Sequence, residues 1–362
     1  MESQAAHPTS PTESSARPSP DPDERPTPDQ IMEIGMGFWA SKTLLAAVKL
    51  DLFTILAEKP RTAVEIQDEL DLADRSLYDF LDALVALGFL ERDGVKETAT
   101  YRNAPDADRF LDRSKRGYIG GMLEMANDRL YPFWGNLETA LRTGRPQNEL
   151  KHDDERFFEK LFEDRERLQQ FMRAMAAVQM GSFKALVQKF DFSPYDVVCD
   201  LGGASGAFVV ELARQYDDVT CITLDLPPVE PIARERVEAA GLEDQIEVVS
   251  RDFFEDPIPE ADVHTMGNVL HDWSLEEKLE LIHRSYENLP DGGALIAIEN
   301  VIDNARSDNE FGLLMSLNML IETPGGSDFT MRQFSSWTRD AGFSETEKVP
   351  LAGPSSAAIA YK

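Results

Sequence analysis

The chain has 362 residues, which is enough for about two domains, and its 36 Lys and Arg against 66 Asp and Glu give a formal net charge of −30. That charge disfavours nucleic acid or an anionic membrane as a partner, because both require clustered positive charge. Hydrophobic residues make up 42% of the chain, which excludes wholesale disorder.

The chain is expected to be cytoplasmic and to contain no membrane span. We find no apolar run of the roughly 18 residues that a span needs, and no secretory signal pattern at the beginning. The two cysteines, Cys199 and Cys221, cannot form a disulfide framework or a zinc site by themselves. Both fall in predicted buried strands, and no metal is predicted.

In chain order, residues 1–29 contain seven of the 21 prolines, interleaved with small polar and acidic residues. That composition predicts a disordered tail. Apolar residues then recur at helical spacing over 30–57, as one long helix or two broken ones. Thr62 begins a capping box that predicts a short helix, and a third helix is predicted to end at Gly88.

A small hairpin follows these helices, with strands at 89–92 and 98–102 on either side of a turn at Asp93-Gly94. Three helices and a hairpin resemble a winged helix. The candidate recognition helix contains Asp74, Asp79 and Asp82, which would repel phosphates. The sequence therefore predicts a dimerisation domain over 30–115 rather than a DNA-binding one.

The next segment, 116–190, is predicted to be helical and is rich in Met and aromatic residues, which serve either as core or as the lining of a pocket. From Asp196 onward, short β-branched strands alternate with helices, which predicts a doubly wound parallel sheet. A final antiparallel hairpin is predicted at the sheet edge. The predicted strands are 196–202, 219–226, 246–251, 261–267, 293–302, 345–351 and 355–361.

A glycine-rich turn follows the first of these strands. Gly202, Gly203 and Gly206 permit a tight turn and close approach of a ligand, but no Gly-Lys-Ser/Thr follows, so the turn is not a P-loop. Asp225 ends the second strand, about 20 residues further on, where a carboxylate can accept both hydroxyls of a ribose. Asp252 and Phe253 follow the third strand, where an adenine amino group and ring face could be received. These features together predict a nucleoside-bearing cofactor.

The segments Asp200-Leu-Gly-Gly-Ala-Ser-Gly206, Leu224-Asp-Leu-Pro227 and Val269-Leu-His-Asp-Trp273 resemble the S-adenosylmethionine-dependent small-molecule O-methyltransferases, which include plant caffeate and acetylserotonin methyltransferases and their bacterial relatives. The resemblance covers the chain from about residue 30 to the end. It implies a Rossmann-like sheet of seven strands over 191–362, S-adenosylmethionine as cofactor, and a homodimer with interlocking N-terminal domains. The predicted cofactor contacts are Asp200, Gly202, Gly203, Ser205, Asp225, Leu226, Asp252, Phe253 and Asn268.

Within the resemblance, His271 is predicted to be the general base that removes a proton from a hydroxyl acceptor. An imidazole with its ordinary pKa of about 6.5 can do so at neutral pH. By family analogy two acids orient the ring: Glu299, which ends the fifth strand, and Asp328. The latter stands where relatives usually have Glu and is one methylene shorter.

That difference keeps other chemistry open, namely methylation of a thioether sulfur or of carbon, neither of which needs a hydroxyl proton removed. A carboxylate-bearing thioether of the methylthio-hydroxybutyrate type is one such acceptor, with Arg129 or Tyr131 as its anchor. A non-catalytic cofactor-binding dimer is the third possibility. In each case the same residues are predicted to line the acceptor pocket, although a packed core would explain most of them equally well. They are Met122, Met125, Arg129, Tyr131, Trp134, Met180, Leu314, Asn318, Met319 and Ile321.

Overall fold

The computed structural model describes residues 26–115, 117–149 and 165–362. The predicted tail therefore lies almost wholly outside the described residues, as does part of the predicted helical segment 116–190. Within 26–29, Asp29 already begins the first helix.

The N-terminal unit contains five helices and a small sheet. Over 30–57, one long helix or two broken ones were predicted. Three helices occupy that region because Gly37 separates the first two and Asp51, at φ +62°, separates the second from the third. The predicted capping box at Thr62 is present. The helices are α1 (Asp29–Met36), α2 (Phe38–Lys49), α3 (Leu52–Glu58), α4 (Ala63–Leu70) and α5 (Leu77–Ala86).

The predicted hairpin is present as β2 (Leu90–Asp93) and β3 (Thr100–Asn103), which pair in antiparallel fashion. A two-residue strand, β1 (Arg61–Thr62), joins the other side of β3 and gives the order β1-β3-β2. Helices α2 to α5 bury apolar residues in one core with this sheet, in which Phe53 and Tyr101 are fully buried, whereas α1 has no buried residue.

One stretch contradicts the expectation that no segment is apolar and long enough to span a membrane. Asp29–Lys49 is 21 residues long, and an 18-residue window within it has a mean hydropathy of 1.2 and is 17% buried. The sequence inspection missed it because Glu33 and Lys42 interrupt the apolar run without lowering its average enough. A single such helix is weak evidence of a span, since apolar helices of soluble proteins meet the same criteria.

The middle of the chain is helical, as predicted, in the parts that the structure describes. One turn of π-helix, Ala126–Leu130, joins α7 to α8, a feature that is frequent at functional sites. The helices are α6 (Pro105–Phe110), α7 (Gly120–Met125), α8 (Tyr131–Trp134), α9 (Leu137–Thr143) and α10 (Arg165–Lys189).

The C-terminal part contains a seven-stranded sheet in the order β6-β5-β4-β7-β8-β10-β9. Five strands are parallel, and the last hairpin adds two antiparallel strands, as predicted. The strands are β4 (Val197–Leu201), β5 (Thr220–Asp225), β6 (Ile246–Ser250), β7 (Val263–Gly267), β8 (Ala294–Glu299), β9 (Glu345–Pro350) and β10 (Ser356–Tyr361).

Helices cover both faces of this sheet, so its central strands β4, β7 and β8 are buried on both sides, as is typical of a parallel sheet, whereas the edge strand β9 is largely exposed. Successive residues of β4 show this: Val198 packs into one core and Cys199 into the other. Both cysteines are buried and unpaired. The remaining helices are α11 (Ala207–Ala213), α12 (Glu230–Ala240), α13 (Leu275–Asn288), α14 (Glu310–Glu322) and α15 (Met331–Ala341).

The strand order places a site at one edge of the sheet. From β4 the chain first adds β5 and β6 on one side and then β7 and β8 on the other. Ligands of open parallel sheets bind outside the carboxyl ends of the strands at this reversal point. Eight of the twelve predicted cofactor and catalytic residues lie in the loops after β4, β5, β6 and β7; Asp200, Asp225 and Glu299 lie at or near the ends of strands, and Asp328 lies in the loop between α14 and α15.

Candidate active site

The glycine loop after β4 has no room for larger side chains at two positions. A Cβ at Gly203 would lie 2.2 Å from Thr223 Oγ1 and 2.9 Å from Asp200 Oδ2. Gly202 has φ +71°, a left-handed conformation that favours glycine, and a Cβ there would lie 2.7 Å from Val269 Cγ2. The loop therefore passes close over β5 and leaves its backbone exposed to the carboxyl edge of the sheet.

Asp225, at the end of β5, is bonded to the backbone around it. Its Oδ2 accepts a hydrogen bond from the Ala204 N–H at 2.8 Å, and its Oδ1 accepts one from the Leu226 N–H at 2.7 Å. Burial raises its pKa to about 6, although these two bonds lower it. Each oxygen keeps a second lone pair that can accept a hydrogen bond from a hydroxyl group, and the residue is only half-buried.

Asp200 lies beneath the glycine loop and is buried. Its Oδ1 accepts a hydrogen bond of 2.6 Å from Thr265 Oγ1, and burial raises its pKa to about 7. Its position beneath Gly203 indicates that Asp200 supports the glycine loop.

Asp252 and Phe253 follow β6, as predicted, and are half-buried. Asp252 Oδ1 accepts a hydrogen bond from the Phe254 N–H at 2.8 Å. The Phe253 ring packs edge-on against Trp273, with ring centroids 5.9 Å apart. Asn268, after β7, has φ +53°, a conformation that Asn tolerates better than most residues.

Four buried polar atoms around these loops have no hydrogen-bond partner among the described residues: Ser205 Oγ, Thr223 Oγ1, Gln179 Oε1 and Trp273 Nε1. Buried polar atoms are rarely left unpaired without a reason such as a ligand. Gln179 is on α10, and its Oε1 lies 3.0 Å from where a Cβ on Gly267, at the end of β7, would stand. The sequence analysis missed Gln179 because no local motif marks it.

His271 lies in a short 3₁₀ turn after β7 and is buried among carboxylates. Its Nδ1 is 3.0 Å from Glu299 Oε2 and 3.7 Å from Asp328 Oδ1, and its Nε2 is 3.4 Å from Asp272 Oδ1. Both predicted acids thus meet the imidazole on its Nδ1 side, and the shorter Asp328 side chain still comes close. Asp272, which was not predicted as a site residue, adds a third carboxylate.

The charges in this cluster change the expected proton affinity of the imidazole. Burial lowers the pKa of His271, but the charges of Glu299 and Asp272 and the nearby Asp328 carboxylate outweigh burial and raise it well above 6.5. The expectation of an ordinary pKa was therefore wrong. Burial also raises the pKa of Asp272 to about 7 and that of Asp328 above its usual value.

His271, Glu299 and Asp328 each offer a ligand atom, and these atoms lie within 4.8 Å of one another. The spacing is compatible with a metal ion, although the sequence predicts none. An imidazole whose Nδ1 faces a buried carboxylate is also the usual arrangement of an oriented general base; here Nε2 has Asp272 Oδ1 as a neighbour at 3.4 Å.

The structure brings two of the predicted acceptor residues together. Trp134 Nε1 donates a hydrogen bond of 2.8 Å to Asn318 Oδ1, linking α8 to α14. Met122 and Met125, on α7, are half-buried. On α14, Met319 and Ile321 are buried, whereas Leu314 is 46% exposed. Met180 packs against the core of the sheet.

The suggestion that Arg129 anchors a substrate carboxylate needs correction. Its guanidinium already donates to Glu149 at 2.9 Å and to Glu322 at 3.0 Å. A carboxylate substrate would have to displace these acids from a buried ion pair. Tyr131 stays a predicted anchor, and Lys42 Nζ lies 5.0 Å from the centroid of its ring.

A sheet of this order, with a glycine loop after its first strand and an acid ending the second, defines a Rossmann-like methyltransferase. The family model of the O-methyltransferase domain matches residues 134–344, and that of the O-methyltransferase dimerisation domain matches residues 32–113. The chain therefore belongs to the O-methyltransferase family, and its cofactor is S-adenosylmethionine.

Known relatives agree with this assignment. The chain is 39% identical over 335 residues, 92% of its own length and 97% of the relative's, to the tetracenomycin polyketide synthesis 8-O-methyl transferase TcmO of Streptomyces glaucescens. It is 32% identical, over 90% of its length and 92% of the relative's, to a 3-hydroxy-5-methyl-1-naphthoate 3-O-methyltransferase of Streptomyces sahachiroi.

Among solved structures, human N-acetylserotonin methyltransferase in complex with SAM superposes with a TM-score of 0.86 at 28% identity, covering 94% of this chain and 99% of that one. The predicted family, fold, cofactor and enzymatic activity are thus confirmed. The enzyme is an O-methyltransferase of small molecules, and sulfur methylation, carbon methylation and a non-catalytic role are not favoured.

Proposed function

We propose that this enzyme methylates a hydroxyl group of a planar aromatic molecule, with His271 as the general base. The observation that carries the proposal is the buried imidazole whose Nδ1 lies 3.0 Å from Glu299. With Nδ1 held by Glu299 and Asp328, Nε2 is the atom that accepts the proton of the acceptor hydroxyl.

The cofactor supplies an electrophilic methyl group on a sulfonium sulfur, so the protein's main task is alignment. Asp225 would accept the ribose hydroxyls, and Asp252 and Phe253 would contact the adenine. The backbone of Gly202 and Gly203 gives the close approach that the methionine part requires. Ser205, Leu226 and Asn268 complete the predicted cofactor site. We add Gln179 and Trp273 because of their unpartnered polar atoms.

For the acceptor, we propose an aromatic substrate because the candidate pocket combines flexible and flat apolar surfaces. Met122, Met125 and Met319 adapt to an irregular shape, and Trp134 offers a ring face. The hydrogen bond between Trp134 and Asn318 fixes that ring. The names of the two Streptomyces relatives, which concern a polyketide and a hydroxynaphthoate, support the same class.

We further propose that the enzyme is a cytoplasmic homodimer. The match to the dimerisation domain supports this, as do the exposed apolar side chains on α1 and α2, including Ile31 at 74%, Ile34 at 67% and Trp39 at 61%. The unpaired, buried cysteines suit a reducing compartment.

The test is to incubate the purified enzyme with S-adenosylmethionine and a panel of hydroxynaphthoates, polycyclic phenols, simple catechols and thioether carboxylates. We expect an O-methyl ether from the polycyclic phenols, identified by mass spectrometry, together with equimolar S-adenosylhomocysteine. Methylation of the thioethers alone, or of simple catechols in preference to polycyclic phenols, would overturn the proposed acceptor class.

A further inference from the structure

Lys278, in the first turn of α13, is a buried lysine whose donors all go to uncharged oxygens. It is 1% exposed, although lysine is almost never fully buried without a partner. Its Nζ donates to the carbonyl oxygens of Trp273 and Ser327, each at 2.8 Å, and reaches Ser327 Oγ at 3.3 Å. An ammonium has three protons, and these three contacts use all of them.

The two residues that Lys278 holds are direct neighbours of two acids around His271. Trp273 follows Asp272, and Ser327 precedes Asp328. The Ser327 N–H also donates to the His271 carbonyl at 2.8 Å. The ammonium therefore fastens the turn that contains the base to the loop that contains its second acid.

The surrounding backbone leaves little room for this contact to adjust. A Cβ on Gly326 would lie 2.5 Å from the His271 carbonyl oxygen and 2.8 Å from that of Asp272. The loop thus lies directly on the turn, and the ammonium joins them from the side of α13. A loss of this link would let the two segments separate.

The charge of Lys278 also acts on the cluster. Asp272, Asp328 and Glu299 all face it, from the turn, the loop and β8, and Glu277 faces it from its own helix. Burial lowers the pKa of Lys278, and these four acids partly offset that effect. Since none of them is its hydrogen-bond partner, the ammonium offsets the negative charge around His271 as a whole.

We propose that Lys278 is a positioning residue that holds Asp272 and Asp328 at their distances from His271 and offsets the negative charge around the imidazole. The proposal rests on His271 being the general base. It differs from a merely structural role, in which Lys278 would contribute to stability and nothing else.

The test compares Lys278→Met with Lys362→Met. Lys362 is the matched control because its Nζ also donates to two backbone carbonyls, those of Tyr286 and Leu289, each at 2.6 Å, and because it lies outside the proposed active site. Three readouts are taken: kcat, the affinity for S-adenosylhomocysteine, and the pKa of the His271 imidazole by NMR of labelled histidine. The His271 signal is assigned by its loss in His271→Ala.

For Lys278→Met we expect kcat to fall about tenfold or more, because misplacement of a catalytic group by an ångström costs up to about 100-fold. Affinity for S-adenosylhomocysteine should stay within twofold. The pKa of His271 should rise, because a neighbouring positive charge has been removed. Lys362→Met should change neither kcat nor that pKa.

A wild-type kcat and an unshifted His271 pKa in Lys278→Met would overturn the proposal. If that variant does not fold, Lys278→Gln, which keeps a donor but not the charge, is measured with the same readouts and the same criteria. A failure of the general-base proposal is distinguishable, because His271→Ala would then keep its activity. The change in the His271 pKa of Lys278→Met, measured by NMR, would still be seen.

Discussion

Glu299 contacts both the ring and the backbone of His271. Its Oε2 lies 3.0 Å from Nδ1, and its Oε1 accepts a hydrogen bond of 3.3 Å from the His271 backbone N–H. Because Glu299 ends β8 and is fully buried, the imidazole is fixed by the rigid sheet rather than by a loop. Such support matters for a base that must reach one hydroxyl proton.

Replacing His271 by Ala should lower kcat by about 10²- to 10⁴-fold, the usual contribution of a general base. Affinity for S-adenosylhomocysteine should stay near the wild-type value. His283→Ala is the matched control, because that ring is 58% exposed on α13, and its kcat should equal the wild type's. A loss of kcat of only a few-fold in His271→Ala would contradict the general-base proposal.

Activity should rise with pH through a midpoint above 6.5. His271 must be neutral to accept a proton, and the carboxylates raise its pKa well above 6.5, so activity is lost as the pH falls below that raised value. The same proton stabilises the fold: this contribution is fully present below about pH 6.5 and is lost as the pH rises through the folded-state pKa. The profile of kcat/KM against pH checks this, and an acid limb at or below 6.5 would contradict it.

Asp225→Asn should weaken binding of S-adenosylhomocysteine at least tenfold, because the amide nitrogen cannot accept a hydrogen bond from a ribose hydroxyl. The control is Asp244→Asn, the same chemical change at an exposed position. Calorimetric titration measures both. Unchanged affinity in Asp225→Asn would remove this residue from the proposed cofactor site.

Gly203→Ala should both destabilise the protein, by about 1–3 kcal/mol for an overpacked site, and weaken cofactor binding. The cause is a new Cβ only 2.2 Å from Thr223 Oγ1, which forces the loop away from β5. Gly35→Ala introduces the same methyl group where no atom lies within 4 Å and should change neither quantity. Thermal unfolding and calorimetric titration of the two variants test this, and equal behaviour would contradict the predicted clash.

Trp39→Glu should convert a dimer into monomers, because it places a charge within the exposed apolar face of α1 and α2. Val95→Glu is the control. Val95 is similarly exposed, at 66% against 61% for Trp39, but it follows strand β2 and is not part of the apolar face of α1 and α2. Sedimentation velocity measures the mass in solution. A wild-type protein that sediments as a monomer would refute the proposed dimer.

Much of the fold could be predicted because local signals and tertiary packing agree. The strands lie within about two residues of their predicted positions, since β-branched runs stop at Gly, Pro or Asp, and the Thr62 capping box forms as expected. The helices over 30–57 were less predictable. Their division at Asp51 depends on a left-handed residue that no sequence pattern requires.

The candidate site was predictable where residues follow a strand directly, as Asp225 and Glu299 do. It was not predictable where distant segments meet. Arg129 and Glu322 are 193 residues apart in the chain, so nothing near Arg129 showed that its charge was already matched. The raised pKa of His271 likewise depends on the closeness of three acids, which only the folded chain sets.

The buried ion pairs of Arg129 have a consequence for how acceptor preference can change. The pair with Glu322 ties the π-turn to the end of α14, the helix that precedes the Asp328 loop. We expect this pair to couple two of the segments that carry the proposed acceptor residues, so that a larger acceptor is not admitted by spreading them apart. New specificity would have to arise from exchanging side chains on fixed walls, which leaves the proton-transfer machinery undisturbed while the acceptor changes.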